Sequence, residues 1–160
     1  MIRKNLEFRI YNSAFTLIEV LITVSIIGLL ASLTLISFGG VQKTARDTQR
    51  KSDLKQYAAA LENFANANNS LYPSRKTSSG ASLATTVCTD LALTSCPEDP
   101  KPTLATYKYQ SDGSGSGTKD ATKYVLWAKL EKTAEYWVIC SDGKVGTIAS
   151  VSISAGSCPL

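Results

Sequence analysis

The chain has 160 residues, 17 lysines and arginines against 13 aspartates and glutamates, four cysteines and no histidine. A formal charge of +4 gives little support for binding by bulk charge, so nucleic acid is not expected as a main partner. With no histidine, no glycine-rich phosphate loop and no nucleophile elbow, the residue inventory argues against an enzyme.

Residues 1–14, MIRKNLEFRIYNSA, carry Arg3, Lys4 and Arg9 against Glu7. Phe15–Phe38, FTLIEVLITVSIIGLLASLTLISF, follows as an apolar run whose single charge is Glu19. As a helix this run is roughly 36 Å long, enough to cross a bilayer. It is longer than the apolar region of a secretory signal peptide, about 7–15 residues. The positive charge ahead of it predicts a cytoplasmic leader and an extracytoplasmic remainder, hence a single-pass membrane protein. A carboxylate inside such a segment costs a few kcal/mol in lipid unless it is paired. Glu19 is therefore predicted to meet a partner.

At these residues the chain resembles the precursors of type IV pilins and of the pseudopilins of type II secretion. They share a basic leader, a small residue, Phe-Thr-Leu-Ile-Glu and an apolar helix, carried here by Ala14 and Phe15–Glu19. The resemblance implies cleavage between Ala14 and Phe15 by a prepilin peptidase, which also N-methylates the new amine of Phe15. Ala14 stands where the family usually has glycine, and Ile36 lies where many members carry a helix proline, leaving Gly28 or Gly39-Gly40 to loosen the helix. Further implications are a membrane-lipid pool, an inner-membrane assembly platform and a homo-oligomeric helical filament, extracellular or periplasmic. In a staggered array of parallel helices, Glu19 of one subunit lies beside the Phe15 amine of the next. That pairing sets register more than it adds stability. Thr16, Thr23 and Ser25 are expected to bond back to helix carbonyls.

Beyond the apolar run the helix continues, with Gly39-Gly40 as a soft point because each glycine weakens a helix by about 1 kcal/mol relative to alanine. Lys43, Arg46, Asp47, Arg50, Lys51, Asp53 and Lys55 form a mixed-charge stretch. It reads as a solvated surface with i,i+4 pairs such as Asp47–Lys51; the alternative is that these charges face neighbouring subunits or lipid headgroups. Leu54, Tyr57, Ala58, Leu61, Phe64 and Ala65 then recur at helical spacing as a core-facing stripe. The helix is predicted to fray near Asn68-Asn69-Ser70 and to stop by Tyr72-Pro73. The boundaries that follow are leader 1–14, transmembrane and assembly helix 15–40, amphipathic ectodomain helix 41–72, and a loop-and-sheet part 73–160.

Residues 74–102 read as a loop with a short helical turn near Thr89–Leu93. Strands are predicted at Thr106–Gln110, Lys123–Glu131, Glu135–Cys140 and, more weakly, Val145–Ser154, with Lys132–Ala134 closing a hairpin. Trp127 and Trp137 are expected in the core. The fold class is thus α+β, a long N-terminal helix against a small C-terminal antiparallel sheet. Ala45–Pro73, the Pro97–Pro100 turn and Tyr107-Lys108-Tyr109 look like the major pseudopilin of type II secretion and related short pilins, which implies the pilin fold.

The four cysteines all lie in the part expected outside, which suits an oxidising compartment. Of three pairings, Cys88–Cys96 and Cys140–Cys158 are favoured, because each closes a local loop and the second ties down the C-terminal segment. Zinc ligation is disfavoured without histidine or C-x-x-C spacing. Asp112, Asp120 and Asp142, with Glu98-Asp99, supply hard oxygens that suit calcium, and major pseudopilins carry a loop that can bind it. No EF-hand-like spacing is present, and aspartate and glycine are what tight turns use, so these residues are read as turn formers and no cofactor is assigned. The function expected is a structural subunit of a type IV pilus or pilus-like filament. The alternatives are a type II secretion pseudopilin, a minor tip pilin, and a membrane-anchored extracellular binding module that never polymerises.

Overall fold

The computed structural model describes residues 15–103 and 106–160, apart from the side chains at 33–37. The leader, with Ala14 and the expected cut, lies outside the described residues, as does the side chain of Ile36. The chain divides into two units between Gly39 and Gly40.

The first unit contributes the opening part of helix α1, Leu17–Ala67. The helix passes Gly28 and Gly39-Gly40 without a break, so neither site unwinds it. Apolar side chains along its opening stretch are exposed: Leu17 is 83% exposed and Leu29 63%, and Phe15 just ahead of it 86%. Among the described residues no helix is long and apolar enough to cross a membrane.

In the second unit α1 is covered on one face. Leu54, Tyr57, Leu61 and Ala65 are buried, with Ala58 packed beside them. Asn69 and Ser70 take positive φ angles of 54° and 60°, and the Ser70 N–H donates to the Ala65 carbonyl at 2.8 Å. This left-handed turn satisfies a terminal carbonyl and ends the helix.

Tyr72–Pro73 then forms strand β1, which pairs antiparallel with β4, Lys119–Ala121. The larger sheet has the order β2-β3-β5-β6-β7 and is antiparallel throughout: β2 Ala81–Ser82, β3 Lys108–Ser111, β5 Tyr124–Lys129, β6 Tyr136–Cys140 and β7 Val145–Ile148. The α+β architecture and the predicted hairpin are present, with Leu130 N–H donating to the Glu135 carbonyl across the β5–β6 turn. Three expectations need correction: no strand in 74–102, none between Gln110 and Lys123, and a last strand carried to Ser154. Residues 74–102 are not all loop, since they hold β2, a π-helical turn Leu83–Val87 and α2 Cys88–Asp90. The loop 111–120 contributes β4. The last strand stops at Ile148, and residues 149–160 leave the sheet.

Strand β5 explains why those last residues return. Its Tyr124, Leu126 and Ala128 face the core shared with α1, while Val125 and Trp127 face a second cluster with Val138, Cys140, Val151, Ile153 and Cys158. Alternate residues of a strand point to opposite faces. A strand apolar from Tyr124 to Ala128 therefore needs cover on both sides, and the C-terminal segment supplies the second cover. Gly156, at φ +69°, makes the close approach: a Cβ there would lie 2.8 Å from the Asp112 nitrogen and the Lys123 carbonyl.

Candidate functional site

The sequence Thr16-Leu17-Ile18-Glu19 builds the start of α1. Thr16 N–H and Oγ1 both donate to Glu19 Oε2 at 2.9 Å, and Glu19 N–H donates back to Thr16 Oγ1 at 3.3 Å. This reciprocal arrangement is a capping box, which satisfies N–H groups that a helix start leaves unpaired. Thr16 therefore does not bond back to a helix carbonyl as expected, because it precedes the first turn. Thr23 and Ser25 do, donating to the carbonyls of Val20 at 2.9 Å and Leu21 at 2.7 Å. The capping signature T-x-x-E was present in the sequence and passed unread. Among the described residues Glu19 Oε1 accepts no hydrogen bond, so half of the carboxylate stays available to an outside donor.

The mixed-charge stretch is not the solvated surface expected of it. Asp47, Arg50 and Asp53 are buried, and Arg50 has no exposed surface. The Arg50 guanidinium donates from Nε and Nη2 to both oxygens of Asp99 at 2.7 and 2.8 Å. It also donates from Nη1 to Asp47 at 2.9 Å and from Nη2 to Glu131 at 2.8 Å. Arg46 grips Glu131 through two bonds of 2.9 and 2.7 Å. Asp47 does not pair with Lys51. Besides Arg50 it accepts from the backbone N–H groups of Glu131 and Lys132 at 2.8 and 3.0 Å, and Lys51 sits over the Trp137 ring. Asp53 accepts from the Tyr107 hydroxyl at 2.6 Å.

A buried charge survives only when paired and hydrogen-bonded, and this cluster meets that condition at each of Arg50's contacts. Hydrogen bonds to Asp99 and then Glu131 hold the Arg50 guanidinium above its ordinary range. Hydrogen bonds from Arg46 and then Arg50 pull the Glu131 carboxyl down to about 2. The missed signal was spacing, since Asp47, Arg50 and Leu54 continue toward the N-terminus the three- and four-residue recurrence of Tyr57, Leu61 and Ala65. The arrangement locks helix, β5–β6 turn and Pro-rich segment together and offers no group poised for proton transfer.

Of the aspartates singled out for calcium, Asp112 and Asp142 sit in bends or turns, while Asp120 lies in β4 and not in a turn as expected. Asp112 accepts from Thr122 N–H and Oγ1 and from Lys123 N–H at 2.7, 2.6 and 2.9 Å. Asp120 accepts from Ser114 N–H at 3.0 Å, and Asp142 pairs with Lys144 at 3.0 Å. Asp142 also lies with Cys140 and Cys158 in a group whose ligand atoms are within 4.8 Å, but those two sulfurs are bonded to each other. The structure pairs Cys88 with Cys96 and Cys140 with Cys158, at Cα separations of 6.0 and 5.6 Å. Trp127 is buried and Trp137 half-buried.

Comparison with curated proteins and with solved structures finds no match. Residues 9–35 match the family profile described as the prokaryotic N-terminal methylation motif. The segment holding Phe15, Thr16 and Glu19 thus carries the motif found in the prepilin-type leaders of type IV pilins and pseudopilins.

Proposed function

We propose that the chain is a structural subunit, not an enzyme, that polymerises through its N-terminal helix into a type IV pilus or pilus-like filament. In this reading a prepilin peptidase cuts before Phe15 and methylates its amine. The residues from Phe15 to Phe38 anchor the chain in the inner membrane, and an assembly platform then moves it into a filament outside the cytoplasm. Supporting the reading is a single observation: directly after the motif's leader, an apolar helix stands with every described apolar side chain exposed and with one acid among them. Such a surface is unstable in water and must be covered by lipid or by other helices.

Glu19 is the residue that distinguishes the two covers. In lipid its charge is a cost of a few kcal/mol. Where the amine of a neighbour's Phe15 donates to Oε1, the two charges offset each other in an apolar surround, and a subunit out of register loses that bond. The test is the ratio of sheared surface filament to membrane-held subunit at equal expression. Glu19→Ala should insert normally yet lower that ratio at least about tenfold, the effect of losing roughly 1.4 kcal/mol per subunit contact. Glu19→Gln keeps a capping-box side chain and removes only the charge. It should fail to assemble in the same way. Normal filaments from Glu19→Gln would assign Glu19 to capping alone, and unchanged ratios in both variants would favour a plain anchor.

A further inference from the structure

The buried charge cluster has an outer side. Above it lies a depression of about 330 Å³ whose lining includes Lys43, Arg46, Lys101, Lys129 and Glu131. Glu131, the one acid of that lining, spends both oxygens on Arg46 and Arg50. Asp47 and Asp99 beneath it are likewise engaged at both oxygens, by Arg50 and by backbone N–H groups. Lys43, Lys101 and Lys129 are exposed, and among the described residues none of them has a carboxylate partner. The Lys129 ammonium lies 6.0 Å from the centroid of the Tyr136 ring. Asp47, Asp99 and Glu131 are thus spent on the arginines and on backbone N–H groups, and none of the three is left to offset the lysines of the rim.

We infer that this depression binds the phosphate of an anionic membrane lipid, holding the folded unit at the bilayer surface before assembly. Three lysines lining one depression, whose acid Glu131 is already bonded to Arg46 and Arg50, suit a phosphate diester. Lipid is the source favoured because Lys43 follows Phe38, the end of the apolar run, by only five residues. Five residues reach at most about 18 Å even when fully extended, so an anchored chain holds Lys43 close to the headgroups. Basic groups placed that near an anionic leaflet are drawn to it. The inference rests on the membrane-anchored reading above.

The test uses the whole chain, extracted in mild detergent from membranes containing both phosphatidylglycerol and phosphatidylethanolamine, with co-purifying lipid counted by mass spectrometry. Wild type should retain phosphatidylglycerol preferentially. Lys43→Gln, Lys101→Gln and Lys129→Gln should each lower that preference about fivefold, and together they should abolish it. A control with the same charge change at Lys55, Lys76 and Lys123, elsewhere on the unit, should keep the wild-type preference. No preference in membrane-held wild type, a preference untouched by the pocket variants, or an equal loss in the control would overturn the inference alone. Loss of the preference in excess inorganic phosphate would give the pocket to a soluble anion and overturn the lipid assignment. Wild type recovered only in the soluble fraction would overturn the anchored reading, and this inference with it.

Discussion

Two stretches of α1 differ in a way that hydropathy does not foresee. Between Leu17 and Leu30 the helix is almost wholly apolar, and its side chains are exposed. Between Asp47 and Ala65 it carries aspartates, arginine and tyrosine among its buried residues. The second stretch finds its partners in its own chain: a sheet for Tyr57 and Leu61, Asp99 and Glu131 for Arg50. Among the described residues the apolar side chains of the first stay exposed. Burial follows the supply of a complementary surface, and where the chain supplies none the partner has to come from outside, which is the physical content of the filament proposal.

The sharpest way to break this comparison is Arg50→Ala, which strands the buried acids Asp47 and Asp99 without their shared cation and leaves Glu131 with Arg46 alone. Removing one partner of a buried pair costs about 3–5 kcal/mol, so denaturant unfolding of the folded unit should shift by that amount. Glu19→Ala, in the other stretch, should leave the same transition within about 0.5 kcal/mol. A smaller effect is expected from replacing Cys140 and Cys158 with serine. Their sequence separation is 18, for which the chain-entropy argument gives about 3 kcal/mol. Uncovering of Val125 and Trp127 should accompany it as increased binding of an apolar dye.

Acid gives the next effect. Glu131 is held at about 2 in the folded chain against an ordinary 4.5, so its stabilising contribution is complete above about pH 4.5 and lost as pH falls toward 2. Thermal midpoints measured across that window should fall by the equivalent of about 2 kcal/mol, with the surface screening of a partly exposed group allowed for. Glu131→Gln should flatten that part of the profile. The smallest effect belongs to Thr16→Ala, which removes the cap of α1. It should cost the helix start about 1 kcal/mol, seen as faster amide exchange just after Leu17, while unfolding of the second unit stays unchanged.

Much of the fold was legible because local pattern and tertiary need agree there. The Leu54–Ala65 stripe, the β5–β6 hairpin and the end of α1 near Asn68 all rest on spacing or turn chemistry. What escaped was decided by long-range partners. Asp47 and Arg50 look like surface charges until Asp99 and Glu131, far along the chain, arrive to pair them. Strand β4 sits in a glycine- and serine-rich stretch and exists because Tyr72-Pro73 offers it an edge. Residues 149–160 alternate weakly and were read partly as strand, yet their apolar positions are spent covering the outer face of β5. Thr16 is a different case, since its role is local and the T-x-x-E spacing that signals the cap stands in the sequence itself.

The most direct test of the central claim is mass spectrometry of the chain recovered from sheared surface filaments. The expected result is a mature subunit that begins at Phe15 with an N-methylated amine, present as the repeating component. Filaments containing the chain with Met1 still in place, or filaments that form unchanged in cells lacking it, would contradict the claim.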